Sequence, residues 1–221
     1  MQATEPALEK VLTASLRKPL IPLNSGKSTL VNMRSSEAEF LEAMTGKHRY
    51  YVRQAQKHLI RWESEIHAGL IHHFSDLMDQ MGRIKGKRHL TLSPQTLAKL
   101  VETCSAGMCM VVGFVGNQAV TGAVVLTQGT RAWYLHAASN QLGRRLGASY
   151  AMVAELARSL RQDGILEMDF GGLGPDHPDF HGPNHFKKGF GGKPITYAGE
   201  WEAGGWLARL IGNAAVLLKR G

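Results

Sequence analysis

The sequence predicts an α+β domain with a central sheet that is mixed and mostly antiparallel, flanked by helices. Three consecutive strand-like segments are separated only by the tight-turn pairs Gly116-Asn117 and Gln128-Gly129, which is typical of an antiparallel meander. A long helical segment follows, and then a short apolar run over residues 165–168 that is bounded by glycine. Apolar runs bounded in this way indicate buried strands. The order meander, helix and strand therefore indicates one mixed domain.

The first 60 residues begin with little pattern and continue with two predicted helices. Residues 1–27 are broken by Pro19 and Pro22 and are expected to form an arm or linker. Ser36 and Glu39 have the spacing of a capping box, which predicts a helix from about residue 36 to about residue 44. A second helix is predicted over residues 47–58.

The rest of the chain supplies the remaining elements. Ser93 followed by Pro94 has the pattern of an N-cap with proline at the first helical position, and it predicts a helix that ends near residue 105. The other predicted helices cover residues 68–84, residues 143–161 and an amphipathic tail at 206–218. The predicted strands cover residues 60–66, 108–115, 119–127, 131–137, 165–168 and 194–198.

Composition restricts the class of protein and its partners. The 221 residues carry a formal net charge of +8. A positive balance favours a polyanionic partner such as tRNA, an anionic lipid or a diphosphate-linked precursor. Two cysteines argue against a disulfide framework and fit a reducing compartment, so we expect a cytoplasmic protein. No segment approaches the roughly 20 apolar residues of a membrane span, so none is expected.

The second predicted helix carries a basic stripe. Arg49, Arg53 and Lys57 recur every four residues, and Lys47 precedes them. Residues four apart lie on one side of a helix. A solvated helix face would explain such a run, but no acidic residue lies between residues 47 and 61. This absence favours a site that binds an anion.

Residues 169–192 carry the strongest candidate for a reactive site. The predicted strand ends at Asp169 beside Gly171 and Gly172, and glycines at a strand end allow close approach of a ligand. Lys187 follows Phe186 and would place a cation near this edge, suited to an anion or a developing oxyanion. The alternative is a surface lysine between core phenylalanines.

The same segment contains histidines with the spacing of a metal site. His177, His181 and His185 are four residues apart, with Asp176 and Asp179 beside them. The prolines and glycines among them argue against a continuous helix, so the spacing implies no shared face. We therefore predict no metal site.

Four blocks of the sequence occur in the order and spacing of one known family. They are Ser28-Thr-Leu-Val-Asn-Met33, Lys47-His-Arg-Tyr-Tyr-Val-Arg-Gln-Ala-Gln-Lys57, Tyr134-Leu-His-Ala-Ala-Ser139, and the D-F-G-G … F-K-x-x-F-G pattern that starts at Asp169. The chain thereby resembles the Fem family of aminoacyl-tRNA-dependent peptidyltransferases, which build peptidoglycan cross-bridges on an acetyltransferase (GNAT-like) fold. The resemblance runs from about Ser28 to about Trp201.

The resemblance implies roles for particular residues. Lys187 matches the lysine of the family's F-K position and would stabilise the developing oxyanion as the catalytic residue. The residues implied in substrate binding are Phe186, Asp169, Gly171, Gly172, Tyr134, His136 and Ser139. The residues expected to contact tRNA or phosphate are Lys47, Arg49, Arg53, Lys57, Arg144, Arg145 and Lys188.

The resemblance implies an aminoacyltransferase with an aminoacyl-tRNA as co-substrate and no resident cofactor. The acceptor would be an amine, either a peptidoglycan precursor or a small molecule or peptide. Two alternatives stay open. Arg144-Arg-Leu-Gly147-Ala-Ser149 is close to the pyrophosphate loop of acetyltransferases, [QR]-x-x-G-x-[GA], which would favour a coenzyme A thioester as donor. The second alternative is a non-catalytic tRNA-binding remnant.

The extent of the match predicts the domain organisation. Larger Fem proteins have two GNAT-like subdomains, and only 27 residues precede Ser28 here. Residues 28–221 are therefore expected to form a single domain equivalent to the second subdomain. A partner chain or self-association would replace the first one. The tyrosine of the family's D-P-x-x-Y-G loop is replaced by His181, which affects the expected acceptor.

Overall fold

The structure is a computed structural model of the chain, and it describes residues 6–19, 26–86, 91–104, 107–174, 178–205, 210 and 214. The chain divides into two compact units. The larger unit contains Val31–Phe170 and Gly189–Gly192, and the smaller unit contains Met1–Leu30, Gly171–Lys188 and Lys193–Gly221. The predicted arm over residues 1–27 and the single domain over 28–221 stay predictions.

The described part of the chain contains helices and strands in mixed order. The helices are α1 (Pro6–Ser15), α2 (Glu37–Ala43), α3 (Gly46–Gln56), α4 (Ala68–Lys85), α5 (Pro94–Thr103), α6 (Gln141–Arg145), α7 (Ala148–Gln162) and α8 (Pro178–Lys188). The strands are β1 (Lys27–Asn32), β2 (Ile60–Glu63), β3 (Met108–Val115), β4 (Gln118–Gln128), β5 (Arg131–Ser139), β6 (Glu167–Asp169) and β7 (Lys193–Thr196). None of these helices combines the length and hydropathy needed to cross a bilayer.

The larger unit is built on a mixed sheet with the strand order β2-β3-β4-β5-β6. Neighbours from β2 to β5 are antiparallel, and β5 and β6 are parallel. The meander predicted from the two turn pairs is confirmed, and β3 has the predicted bounds. The predicted α+β class with a mostly antiparallel sheet is therefore confirmed.

Helices cover both faces of this sheet. A Cβ on Gly122 would press against the Phe74 ring of α4, while the neighbouring Thr121 donates its hydroxyl hydrogen to Met152 Sδ of α7 at 3.5 Å. Successive strand residues point to opposite faces. Hence α4 and α7 lie on opposite sides of β4. The side chains buried between α4, α5 and the sheet include Leu70, Phe74, Leu77, Leu97, Met110 and Val112.

A β-bulge interrupts β5. The register pairs Val125 with Tyr134 and Val124 with His136, so Leu135 is an extra residue on β5. A bulge bends its strand and increases the local twist. It lies two positions after the last registered pair between β5 and β6.

The smaller unit contains an antiparallel pair of strands and the glycine-rich segment Gly171–Gly174. The first four residues of β1 pair with β7, from Lys27↔Thr196 to Leu30↔Lys193. The backbone N–H of Leu173 donates to the carbonyl of Lys27 at 2.8 Å. These bonds hold the start of the glycine-rich segment beside β1.

Most predicted helix starts are confirmed, but two helices differ from the prediction. Ser36 and Glu39 form the expected capping box, and Ser93 caps α5 with its side chain. The single helix predicted over 143–161 is two helices, because Gly147 adopts φ +69° and ends α6. Residues 178–188 form α8 although a loop was predicted there. The amphipathic tail at 206–218 lies largely outside the described residues.

Candidate active site

The C-terminal half of β5 has one edge without a registered strand partner. In the described chain, β6 is in register with β5 only from Arg131 to Trp133, whereas β5 continues to Ser139 and stays paired with β4 on its other side. An unpaired edge presents alternating N–H and C=O groups to an extended ligand. The bulge at Leu135 bends β5 where this edge begins. The larger unit therefore presents backbone N–H and C=O groups of β5 to which an extended ligand can hydrogen-bond.

Three residues predicted to bind substrate lie on this half of β5. Burial raises the pKa of Tyr134 well above its ordinary value, so its phenol stays protonated. Partial burial lowers the pKa of His136, which favours the neutral imidazole near pH 7. Ser139 is 8% exposed at the end of the strand. These three side chains are therefore neutral near pH 7 and add no charge to the site.

Ser139 belongs to a chain of hydroxyl groups. Its Oγ lies 2.6 Å from Thr121 Oγ1 and 2.6 Å from Ser149 Oγ. The guanidinium of Arg144 donates through Nε and Nη2 to the carbonyl of Ser139 at 3.2 and 3.1 Å. Arg144, predicted to bind phosphate, thus caps the end of β5, and Arg145 is exposed.

The first turn of α7 is covered by a tyrosine. A Cβ on Gly147 would lie 3.1 Å from the carbonyl oxygen of Tyr51 and 3.2 Å from its ring. The Tyr51 ring stacks on Tyr150 with centroids 4.7 Å apart. Ala148 is fully buried. The residue before α7 is therefore packed against Tyr51 of α3, which leaves less room here than an open pyrophosphate loop has.

A connected series of rings extends through the larger unit to the open half of β5. Tyr134 packs on Phe170, and Phe170 stacks on Phe190, both at 5.2 Å between centroids. The ring of His48 meets Phe190 edge-on at 4.7 Å and Tyr150 at 4.8 Å. Edge-on and offset pairs of this kind are the favourable aromatic geometries. These ring contacts hold Tyr134 of β5 in place against the Phe170 and Phe190 rings.

The second glycine-rich segment, Gly189–Gly192, is fixed by close packing. His48 is fully buried and its Nδ1 lies 2.8 Å from Thr45 Oγ1. A Cβ on Gly189 would overlap the His48 ring, and a Cβ on Gly191 would overlap Ala43. The backbone N–H of Thr45 donates to the Gly189 carbonyl at 2.9 Å. Only glycine fits at these two positions.

In the smaller unit, side chains hold the backbone of Gly171–Gly174. Lys187 Nζ donates to the Gly172 carbonyl at 2.7 Å, and Ser28 Oγ donates to the Gly171 carbonyl at 2.7 Å. Asn184 accepts from the Gly174 N–H at 2.9 Å and donates to the Gly174 carbonyl at 3.0 Å. Lys187 is half-buried and its ammonium group has a fixed direction.

The predicted site residues thus form two groups, one in each unit. Tyr134, His136, Ser139 and the buried Asp169 belong to the larger unit, whereas Gly171, Gly172, Phe186 and Lys187 belong to the smaller unit. Phe186 is half-buried, and Lys188 is exposed at the end of α8. Sequence reasoning missed Asn184 and His48; the glycines at 174 and 189 were the available signals.

The basic stripe is present but its members differ. Arg49 Nη1 donates to the carbonyls of Glu42, at 2.8 Å, and of Met44, so it caps the end of α2. Lys47, Arg53 and Lys57 are exposed. Leu59 lies beyond the end of α3 at Gln56 and is 97% exposed. Phosphate binding by this helix stays a prediction.

The remaining candidates are the histidines with the spacing of a metal site and the thiol of Cys109. His181 and His185 lie one turn apart on α8, so the argument against a shared helix was wrong. Among the described residues there is still no group of three metal-ligating side chains, and His177 lies outside them. Burial raises the pKa of Cys109 to about 11, so this thiol is a poor nucleophile.

The sheet and its helices define an α+β protein with a mixed, mostly antiparallel sheet covered by helices. The FemAB family model matches residues 84–203, more than half of the chain. The chain belongs to the FemAB family, which confirms the resemblance seen in the four sequence blocks. No curated protein matches the sequence.

Solved structures support the same fold. A crystal structure of FemX superposes with a TM-score of 0.76 and 15% identity, covering 88% of this chain and 67% of FemX. The C-terminal domain of a putative lysylphosphatidylglycerol synthetase from Agrobacterium fabrum gives 0.67 and 15%, covering 98% and 71%. L-PGS from Bacillus licheniformis gives 0.60 and 8%, covering 96% and 70%. At these identities the similarity concerns the fold.

Proposed function

We propose that this protein transfers an aminoacyl group from an aminoacyl-tRNA to an amine. The observation that carries the proposal is the open edge of β5 beyond Trp133, in a chain of the FemAB family. An aminoacyl group carries an amine donor and an ester carbonyl acceptor, and backbone C=O and N–H groups at a strand edge can bind such groups as they bind those of an extended peptide. Tyr134 and His136 flank that edge and supply hydrogen bonds.

The reaction needs no covalent enzyme intermediate. The neutral amine attacks the ester carbonyl, the new C–N bond forms, and the C–O bond to the ribose breaks after a tetrahedral intermediate. The amine proton passes to the departing ribose oxygen. The raised pKa of Cys109 agrees with a direct attack, because it provides no thiolate nucleophile.

Lys187 is the proposed catalytic residue of this reaction. Its match to the family's F-K position supports the role, and its hydrogen bond to Gly172 orients the ammonium. A positioned cation stabilises negative charge that develops on the carbonyl oxygen in the transition state. Preorganisation of this kind contributes to the rate more than to substrate binding.

The start of α7 favours tRNA over coenzyme A as the donor. A coenzyme A pyrophosphate is held by open amides at a helix N-terminus. Here Tyr51 packs over Gly147, and Arg144 is turned back to the Ser139 carbonyl. The Tyr51 packing reduces the room for a pyrophosphate, and the bond to Ser139 directs the Arg144 guanidinium away from it, which supports an aminoacyl-tRNA donor. Such a donor would place the reaction in the cytoplasm.

The acceptor and a possible second chain are part of the same proposal. The acceptor is an amine of a peptidoglycan precursor or of a smaller molecule or peptide. The chain covers 67% of FemX. We propose that a second copy or a partner chain binds beside this domain. Sedimentation with and without tRNA would detect such a complex, and a monomer under all conditions would contradict it.

The deciding experiment compares donors under identical conditions. Radiolabelled aminoacyl-tRNAs and acyl-CoA thioesters are incubated with the protein and a panel of amines, and labelled amide product is counted. We expect amide product from aminoacyl-tRNA only. Product from acyl-CoA alone would favour the acetyltransferase alternative. RNA binding with no product from either donor would favour a non-catalytic binding protein.

A further inference from the structure

One face of α3 combines cations with a single exposed aromatic ring. At 3.6 residues per turn, Tyr50, Arg53 and Lys57 fall within one narrow sector, and Lys47 lies beside it. The residues that α3 buries, His48, Val52 and Ala55, fall on the opposite sector. We call the outward set Lys47, Tyr50, Arg53 and Lys57 the α3 outer face.

The ring of Tyr50 is exposed yet supported from behind. Its side chain is 56% exposed, which is high for an aromatic residue in the middle of a helix. The ring meets Tyr51 edge-on at 5.4 Å, and Tyr51 is stacked on Tyr150. Tyr51 also packs over the start of α7. Tyr50 therefore presents an exposed flat ring, in contact with Tyr51 on one edge, which can stack with an aromatic ligand.

The cations of the α3 outer face have no acidic partner. Within the described chain, no ion pair joins Lys47, Arg53 or Lys57 to a carboxylate. Helix α3 itself contains no acidic residue. Arg49 is directed to main-chain carbonyls of α2 and does not belong to this face. The face is thus a positive surface around one ring.

We propose that the α3 outer face binds single-stranded RNA, with an unpaired base stacked on Tyr50 and the flanking phosphates on Lys47, Arg53 and Lys57. Proteins that bind single strands combine stacking rings with a positively charged track in this way. The inference rests on the proposed function, in which the unpaired 3′ segment of the donor tRNA is the natural occupant. Tyr50 is then a positioning residue for the donor.

A membrane surface fits this face less well. Helices that lie in a lipid interface bury several apolar side chains along one face. The α3 outer face offers Tyr50 alone among cations. The strongly exposed Leu59 lies beyond the end of α3 and provides a separate test of lipid binding.

Stacking and phosphate contacts respond differently to salt, which makes the inference testable. A fluorescent single-stranded RNA oligonucleotide is titrated with the purified protein at several salt concentrations. Loss of a stacked base on Tyr50→Ala should weaken binding about 5- to 150-fold at every salt concentration. Arg53→Gln and Lys57→Gln should each make the slope of log K against log salt shallower by about 0.7.

Matched variants separate stacking from bulk and from total charge. Tyr50→Phe keeps the ring and should bind within about twofold of the original protein, whereas Tyr50→Leu keeps apolar bulk but should bind as weakly as Tyr50→Ala. Lys99→Gln removes an equally exposed lysine from α5 and should leave the slope unchanged. Equal binding by the Tyr50→Ala and original proteins would overturn the inference, as would full binding by Tyr50→Leu.

Two further readouts keep this inference distinct from the proposed function. Anionic phosphatidylglycerol vesicles should bind equally to the original, Tyr50→Ala and Leu59→Ser proteins; vesicle binding lost in these variants with RNA binding intact would overturn the inference in favour of a membrane. In the transfer assay, Tyr50→Ala should raise the KM for charged tRNA with kcat nearly unchanged. RNA binding that depends on Tyr50 in a protein without transfer activity would refute the proposed function and uphold this inference.

Discussion

The two glycine-rich segments, Gly171–Gly174 and Gly189–Gly192, look alike in sequence but are held in place by different forces. The first is positioned at three of its residues by polar side chains that bond to its backbone, including Lys187 and Asn184, and at Gly174 also by the Phe180 ring, which leaves no room for a Cβ. The second is positioned by shape, because the His48 ring and Ala43 leave no room for a Cβ at Gly189 or Gly191.

The difference separates two kinds of sensitivity. A segment held by hydrogen bonds should respond to the removal of a donor or acceptor, and it tolerates added volume where its surroundings are open. A segment held by packing should respond to added atoms and cost mainly folding stability. Substitutions in each segment can break this comparison, and the four below are ordered by expected effect.

Replacement of Lys187, the proposed catalytic residue that also bonds to the Gly171–Gly174 segment, should have the largest effect. Lys187→Ala should lower the single-turnover rate of aminoacyl transfer about 10²–10³-fold, roughly 3–4 kcal/mol, because the charge it stabilises develops in the transition state. Affinity for tRNA, measured by filter binding, should change little. Lys188→Ala is the matched control. A defect in that variant alone would show that the catalytic role belongs to Lys188 and not to Lys187.

Addition of one methyl group to the packed segment should cost folding stability. Gly189→Ala places a Cβ inside the His48 ring, and the overlap should destabilise the protein by about 3 kcal/mol in urea unfolding. The double variant Gly189→Ala/His48→Ala removes the overlapping ring and should recover part of the loss. An unchanged unfolding midpoint in Gly189→Ala would show that shape does not hold this segment.

Removal of the amide that clamps Gly174 should have a smaller effect. Asn184→Ala deletes two hydrogen bonds to one residue and should destabilise the protein by about 2 kcal/mol. Asn184→Asp keeps the acceptor for the Gly174 N–H and loses the donor to the Gly174 carbonyl. Its unfolding midpoint should therefore fall between those of the original protein and Asn184→Ala. Equal stability of all three proteins would contradict the polar account of this segment.

A methyl group added to the polar segment should have the smallest effect. A Cβ on Gly172 would meet nothing within 4 Å, and this residue is not among the glycines with positive φ. Gly172→Ala should therefore change stability by less than about 0.5 kcal/mol, in contrast to Gly189→Ala. Thermal unfolding of the two variants side by side tests this contrast, and equal losses would remove the distinction between the segments.

Sequence patterns predicted the elements that local rules control. Ser36 and Glu39 satisfy neighbouring backbone groups, so the start of α2 was predicted from four residues. The meander was predicted because its turn residues and its β-rich runs agree. Helix α8 was missed because Pro183 lies inside it, and an interior proline ordinarily costs a helix about 3 kcal/mol. Side-chain bonds from α8, such as those of Asn184, help offset that cost.

Candidate residues could be named from the sequence where a local pattern of residue types marks them. They were missed where the exposure of a side chain depends on the exact start of a helix. Lys187 and the neighbouring glycines were proposed as site residues because glycine pairs and a lysine between phenylalanines are visible in the sequence, and their role stays a prediction. Tyr50 was missed because its exposure depends on the start of α3 at Gly46, after the N-cap Thr45. The hydroxyl chain through Ser139 joins three separate elements, which no local pattern reveals.

The bond between Ser28 and the Gly171 carbonyl joins residues that are 143 positions apart in the chain. During synthesis at about 5–20 residues per second, roughly 7–30 s pass between the addition of Ser28 and the addition of Gly171. The strand partner of β1, β7, is made later still, so β1 is until then a nascent strand with open backbone groups, which favours pairing with other chains. We therefore expect the yield of folded protein to fall when translation is slowed between these two residues.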